Sequence, residues 1–242
     1  PYTIIYRIIL ISIIVTILKF KYGSDFSMIR QTPLEKRYDK LGPHIVTALK
    51  KRYFDAYYCK TRNEALQQIL DLIPQNHVVS WGGSETLKEM GVQTAVREKG
   101  FKVIDRDLAK TPEERTEIMR QALLCDTFLM SSNAISEDGQ LFNIDGNGNR
   151  VAAMIFGPKN VIVVAGMNKI VKNIDDAIQR TRTIASPAVV QRFQDVNTPC
   201  YINGSCIDCT SPESICAYMV TTRISRPAKK IKVILVGENL GL

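Results

Sequence analysis

Apolar residues along this chain recur in two rhythms, and the alternation between them predicts most of the fold. From Pro33 to Leu72 the spacing is helical: Leu41, Ile45, Leu49, Tyr53 and Phe54 fall on one stripe, and Ala65, Leu66, Ile69, Leu70 and Ile73 continue it. Two helices are predicted there. The short run His77-Val78-Val79-Ser80 then reads as a strand, followed at once by Trp81, the pair Gly82-Gly83 and a helix-capping Ser84. A helix from Ser84 to about Lys99 stops at Gly100 and feeds a second strand, Phe101-Lys102-Val103-Ile104. Thr111-Pro112-Glu113-Glu114 announces another helix, with Thr at the cap, Pro in the first turn and Glu closing a capping box. That helix ends near Leu124, before the strand Thr127-Phe128-Leu129-Met130-Ser131. Strands alternating with helices favour a parallel sheet with helices packed on it.

The rhythm then changes. Gln140 to Ile144 and Val151 to Phe156 are two strand-like runs joined by Asp145-Gly146-Asn147-Gly148-Asn149, a composition suited to positive φ angles, so a β-hairpin is expected. Val161-Ile162-Val163-Val164-Ala165 follows as a buried strand, Ile174 to Phe193 as a helix broken near Pro187, and Ile231 to Val236 as a last strand. The expected class is α/β, a mainly parallel sheet flanked by helices with a β-hairpin insertion. No internal repeat or low-complexity linker interrupts it.

A length of 242 residues, 45% of them hydrophobic, suits one globular domain over 28–242. The net charge of +8 suggests an anionic ligand, but the basic residues are dispersed and not interleaved with aromatics, which argues against nucleic acid. The first residues stand apart: Tyr2 to Leu18 is almost wholly apolar, yet Arg7 leaves only Ile8 to Leu18 uninterrupted, short of the roughly 20 residues a membrane span requires. Residues 1–27 are read as an extension ahead of Met28, from a longer reading frame or a fragment boundary. A genuine N-terminal anchor, and with it a membrane contact, is the alternative. The rest is expected to be cytoplasmic.

Several separated motifs carry a resemblance. Trp81-Gly82-Gly83-Ser84-x-Thr86-Leu87, Asn133-Ala134-Ile135-Ser136-Glu137-Asp138-Gly139, Asn143-Ile144-Asp145-Gly146-Asn147-Gly148-Asn149-Arg150-Val151, Phe156-Gly157-Pro158-Lys159 and Val164-Ala165-Gly166-Met167-Asn168-Lys169 occur in that order. Together they resemble the lactate-utilization (LUD) domain family from about residue 30 to the end. The resemblance implies a NagB/RpiA/CoA-transferase-like fold, that of sugar-phosphate isomerases and CoA transferases, and a place in organic-acid metabolism. Some members work in iron-sulfur lactate-oxidising systems of several subunits, and many stand-alone members have no assigned activity. This chain lacks the C-x-x-C-x-x-C-x-x-x-C-P run of the iron-sulfur subunit. A partner redox subunit and a homo-oligomer are the associations expected on this basis.

Four of the six cysteines fall in one segment, 198–217, as Cys200, Cys206, Cys209 and Cys216 with spacing C-x5-C-x2-C-x6-C. Thiolates on a polar, turn-rich loop suit a zinc ion or an iron-sulfur cluster, so a four-cysteine metal site is expected, iron-sulfur ahead of zinc given the family's redox neighbourhood. Inert or redox-active thiols and disulfides are the alternatives. Cys59 and Cys125 read as small buried hydrophobes.

The remaining candidates concern a small organic anion, a 2-hydroxy or 2-oxo acid. Gly82 and Gly83 would bring backbone amides close to it, with Ser84 and Thr86 opening the next helix. Asn133, Asn143, Asp145, Asn147, Asn149 and Arg150 supply polar groups from the family motifs, and Lys159, Asn168 and Lys169 supply further contacts and positive charge. The plainer reading is that the glycines only turn the chain, Ser84 only caps, the asparagines hold a loop and the lysines are solvated. Glu137 and Asp138 are candidate catalytic carboxylates by analogy with the CoA-transferase glutamate, although Glu-Asp-Gly is also a common turn. No nucleotide cofactor is expected, because neither a G-x-x-x-x-G-K-[ST] loop nor a G-x-G-x-x-G after a strand occurs. A non-catalytic metabolite sensor stapled by structural zinc and a CoA-transferase or isomerase-like enzyme are the rival functions.

Overall fold

The computed structural model describes residues 31–242. The reading of residues 1–27 lies outside the described residues. The chain divides into two units, Pro1–Lys36 and Arg37–Leu242. The boundary falls within helix α1 (Pro33–Lys51), whose residues from Arg37 on belong to the second unit; Thr32 opens it through a reciprocal cap in which the Glu35 amide donates to Thr32 Oγ1 at 3.2 Å and the Thr32 amide donates to Glu35 Oε2 at 2.7 Å.

The second unit holds the sheet. Its elements are β1 (Asp55–Cys59), α2 (Arg62–Asp71), β2 (Val78–Trp81), α3 (Glu85–Glu89), α4 (Val92–Glu98), β3 (Lys102–Ile104), α5 (Pro112–Gln121), β4 (Thr127–Met130), β5 (Ala134–Ser136), β6 (Leu141–Asp145), α6 (Asn149–Ile155), β7 (Asn160–Gly166), β8 (Ile170–Val171), α7 (Ile174–Arg180), α8 (Ser186–Val190), α9 (Pro199–Asn203), β9 (Tyr218–Thr222) and β10 (Ile231–Val236). Six strands make one sheet in the order β1-β10-β7-β4-β2-β3, with every neighbouring pair parallel. The expected α/β class, a mainly parallel sheet flanked by helices, is what the chain adopts.

Helices cover both faces of this sheet, so its strands read as unbroken apolar runs. Period two still sorts them. Val161, Val163 and Ala165 of β7 join Ile45 and Leu49 of α1 and Met154 of α6 in one core, while Ile162 and Val164 join Ala65 and Ile69 of α2 and Leu87, Val92 and Val96 of α3 and α4 in the other. A second sheet, β8-β5-β6-β9, packs Ala134, Phe142 and Ile144 against Ala177 of α7.

Several local expectations need correction. Tyr53 and Phe54 do not extend a helix: Tyr53 takes a positive φ of 65° and Phe54 leads into β1, an edge strand whose DAYYC sequence lacks a clear alternation. The helix expected from Ser84 to Lys99 is two helices, because Gly91 adopts φ 67° between them. The segment expected as the second arm of a hairpin, Val151 to Phe156, is helix α6. Its start is fixed by the Asp145 carboxylate, which accepts the amides of Gly148 at 3.1 Å, Arg150 at 3.1 Å and Val151 at 3.2 Å, with Gly148 left-handed at φ 77°. The hairpin lies one segment earlier. Strands β5 and β6 pair antiparallel through the turn Glu137-Asp138-Gly139, and the other partner of β6 is β9. The break foreseen near Pro187 is a π-helical turn, Thr181–Ala185, between α7 and α8. No described helix is long and apolar enough to cross a membrane.

Candidate functional site

Parallel strands present all their carboxyl ends on one edge, and ligands settle where the connections leaving two neighbouring strands diverge. Here β2 feeds α3 and α4 toward β3, while its other neighbour, β4, feeds the second sheet. The register aligns Trp81 with Leu129 and Met130 with Val163, so the Gly82 loop, the Ser131–Asn133 loop and the Gly166–Lys169 loop emerge side by side. A bond from the Gly82 amide to the Leu129 carbonyl, 3.0 Å, carries the ladder into the glycine loop.

Lys169 sits at the centre of this edge. Its side chain reaches from the turn after β7 to donate to Thr86 Oγ1 at 2.9 Å and Ser131 Oγ at 3.1 Å, joining the loops after β7, β2 and β4. The residue is only 4% exposed. Burial, then the charges of Arg180 and Arg150, push its amine down to about 7, with Glu89 opposing them. Among the described residues no carboxylate lies within ion-pair distance of it.

Arg150 ties the second sheet to the same edge. One guanidinium nitrogen donates to the Ser131 carbonyl at 2.9 Å and to Asn143 Oδ1 at 2.7 Å; the other donates to Asn133 Oδ1 at 3.0 Å and the Ile144 carbonyl at 2.7 Å. Asp145 lies 3.7 Å from its Nε. Burial works against the charge on Arg150 and Asp145 supports it. The arginine stem also explains Gly82, since a Cβ there would sit 3.0 Å from Arg150 Cδ.

Three further arginines complete the edge. Arg180 of α7 donates to the carbonyls of Asn168 at 3.2 Å and Asn133 at 2.6 Å, clamping two of the loops. Arg106 follows β3 and lies against the exposed Gly83, where a Cβ would meet its Nη2 at 2.5 Å and that of Arg192 at 3.7 Å. Among the described residues its buried Nε has no hydrogen-bond partner, with Asp107 Oδ1 3.9 Å away; burial, Arg115 and Arg192 disfavour its charge, and Asp107 and Asp145 support it. Arg192 also pairs with Glu85 at 3.0 Å. None of the three lies in a sequence motif, and no sequence signal short of the fold marks them.

Most of the residues expected around a ligand are therefore brought together. Gly82, Gly83, Ser84, Thr86, Asn133, Asn143, Asp145, Arg150, Asn168 and Lys169 meet at the carboxyl edge. Ser84 caps α3 by accepting the Leu87 amide at 3.2 Å, and Asn168 Oδ1 accepts the Leu240 amide at 3.1 Å. Asn147 points to solvent, and Asn149 is half-buried in the first turn of α6. Lys159 is exposed just before β7 begins, so the length of that strand, about 20 Å at the usual rise, separates it from Lys169. Glu137 pairs with Lys172 at 2.6 Å and Asp138 with Arg52 at 2.6 Å, in a turn whose Gly139 packs on the backbone of Ala48 and Leu49.

The metal site expected at Cys200, Cys206, Cys209 and Cys216 is not formed. Among the described residues, no group of three or more His, Cys, Asp or Glu side chains is placed to hold a metal ion, so neither iron-sulfur nor zinc has a site and the redox-subunit reading built on it falls. The four thiols line one cavity, but three of them turn to separate partners: Cys200 to Thr198 Oγ1 at 3.6 Å, Cys206 to Arg182, and Cys216 to Ser186 and Ser214. A tetrahedral shell requires sulfurs converging to about 2.3 Å from one point. All six cysteines are free thiols.

Comparison with known proteins gives distant structural neighbours and a family. A solved structure described as a DUF162 family protein from Deinococcus radiodurans is 11% identical, with TM-score 0.48 over 82% of this chain and 98% of that one. The delta subunit of eIF2B from Chaetomium thermophilum is 17% identical, with TM-score 0.29 over 58% of this chain and 54% of that one. No curated protein matches the sequence. The family model of the LUD domain matches residues 43–236, which takes in the six-stranded sheet and every loop of its carboxyl edge up to the end of β10. The chain belongs to the LUD-domain family.

Proposed function

We propose that this protein binds a small organic anion at the carboxyl edge of its parallel sheet, in the crevice between the Gly82–Thr86, Ser131–Asn133 and Gly166–Lys169 loops. One observation carries the reading: the Lys169 amine is buried under the charges of Arg180 and Arg150, and among the described residues no carboxylate lies within ion-pair distance of it. A cation desolvated in this way is unstable until an anion joins it, and a carboxylate placed there recovers the electrostatic energy that burial removed. Arg106 and Arg192, flanking the exposed Gly83, give the anion a positively charged entrance. Kinship of the fold with sugar-phosphate isomerases and CoA transferases belongs to the same proposal, supported by the family motifs and the position of the crevice.

The test is thermal stabilisation. Pyruvate, lactate and oxalate are expected to raise the melting temperature of the wild type and not that of Lys169→Met. A ligand at a hundred times its dissociation constant stabilises by about 2.7 kcal/mol. Equal shifts in both proteins, or none in either, would remove the reading.

A further inference from the structure

Lys169 is held in a way that anion binding alone does not require. A lysine that only attracts a carboxylate works best fully charged, with its head toward water. This amine is instead turned into the protein, fixed by two hydroxyls, Thr86 Oγ1 and Ser131 Oγ. Those hydroxyls have other acceptors of their own, the Leu240 and Ser132 carbonyls, each 3.3 Å away. One of them can turn to donate to the nitrogen lone pair once the amine loses its proton, while the other goes on accepting a remaining N–H. The charged groups acting on the amine are Arg150, Arg180 and Glu89, and the two arginines outweigh the acid. Arg180 uses Nε and Nη1 on backbone carbonyls, which leaves Nη2 out of both bonds.

From this placement we infer that Lys169 is a nucleophile that forms an imine with the carbonyl carbon of a 2-oxo acid, whose carboxylate is met by Arg180. The inference rests on the anion-binding reading and deepens it. In the first step the Nζ lone pair bonds to the carbonyl carbon, the C=O π pair moves to oxygen, and that oxygen takes one Nζ proton to give a carbinolamine. The C–O bond then breaks. The oxygen leaves as water with the second Nζ proton, and the nitrogen lone pair closes the C=N bond. Thr86 and Ser131 relay these protons, and no oxidant, reductant or metal takes part. A lysine in a desolvated pocket beside other cations is activated for this step because its free base is populated near neutral pH. With its amine pushed down to about 7, Lys169 holds at pH 8 about two-hundredfold more free base than an ordinary exposed lysine with a pKa of about 10.4.

The experiment is reductive trapping on the full chain. Protein is incubated with pyruvate at pH 6 to 9, reduced with borohydride and mapped by peptide mass spectrometry, with the pyruvate-dependent change in melting temperature measured in parallel. The expected product adds pyruvic acid less one oxygen atom to Lys169, rises as pH passes through about 7, and is suppressed by lactate, which binds but has no ketone. Exposed Lys159 serves as the internal control and should be labelled about tenfold less or below that. Stabilisation by pyruvate with no adduct, or with label spread evenly over surface lysines, overturns the imine and leaves the anion site standing. Absence of both stabilisation and adduct overturns the two together.

Discussion

Replacing Lys169 by methionine keeps an unbranched side chain out to Cε, with sulfur in place of Cδ, and removes the buried amine. Thr86 and Ser131 keep the Leu240 and Ser132 carbonyls as partners, so no new unsatisfied polar group is created. What changes is the proton. In the unfolded chain the amine titrates near its ordinary value of 10.5, and in the fold near 7. Between those two pH values the unfolded state binds the proton that the folded state has shed, so wild-type stability rises with pH across this window relative to the variant. At about 1.4 kcal/mol per pH unit, and allowing for half-protonation at pH 7, the buried amine costs the wild type about 4 kcal/mol at pH 7, about 2 at pH 9 and almost nothing by pH 11. Arg150 and Arg180 stay charged throughout, and the packing difference between Lys and Met does not depend on pH. Urea unfolding of both proteins at pH 7 and pH 9 isolates the effect, provided their denaturant slopes agree. The variant's advantage should shrink by about 2 kcal/mol between the two conditions. An advantage that stays constant with pH would mean that the amine keeps its proton in the fold, and the argument for an anion-seeking, nucleophilic lysine would fail with it.

Other outcomes follow from single contacts. Arg150→Lys loses the planar fork that serves Asn133, Asn143, Ser131 and Ile144 at once, and should destabilise by about 3–5 kcal/mol in thermal or urea unfolding; a loss below 1 kcal/mol would show that these groups find other partners. Gly139→Ala places a Cβ 2.8 Å from the backbone of Ala48 and Leu49 at φ +87°, for a cost of about 1–3 kcal/mol, and unchanged stability would contradict the close approach. Glu137→Gln breaks only its surface pair with Lys172 and should change stability by less than about 1 kcal/mol. The same variant should keep its anion-dependent rise in melting temperature, and loss of that rise would bring the Glu137 turn back into the site.

Sequence by itself determined the elements whose information is local. The alternation of β2, β3, β4, β7 and β10 with helices is written in runs such as Val161 to Ala165 and in caps such as Thr111 and Ser84, because those signals depend on neighbours a few residues away. The motif glycines and Lys169 were legible as candidates for the same reason. Where a local signal had two solutions, only the tertiary structure chose. Asp145-Gly146-Asn147-Gly148-Asn149 can turn a hairpin or start a helix, and it starts α6 because the Asp145 carboxylate gathers three amides while β6 finds its partners in β5 and β9. The cysteine spacing allowed a metal shell, but Cys200, Cys206 and Cys216 are drawn to different neighbours, and spacing along a chain does not fix where sulfurs point. Arg106, Arg180 and Arg192 belong to the site only because three separate connections return to one edge of the sheet. A lysine in a sequence carries the same ordinary amine everywhere. Lys169 becomes a buried, weakened base through desolvation and two arginines from distant segments, and those exist only once the chain has folded.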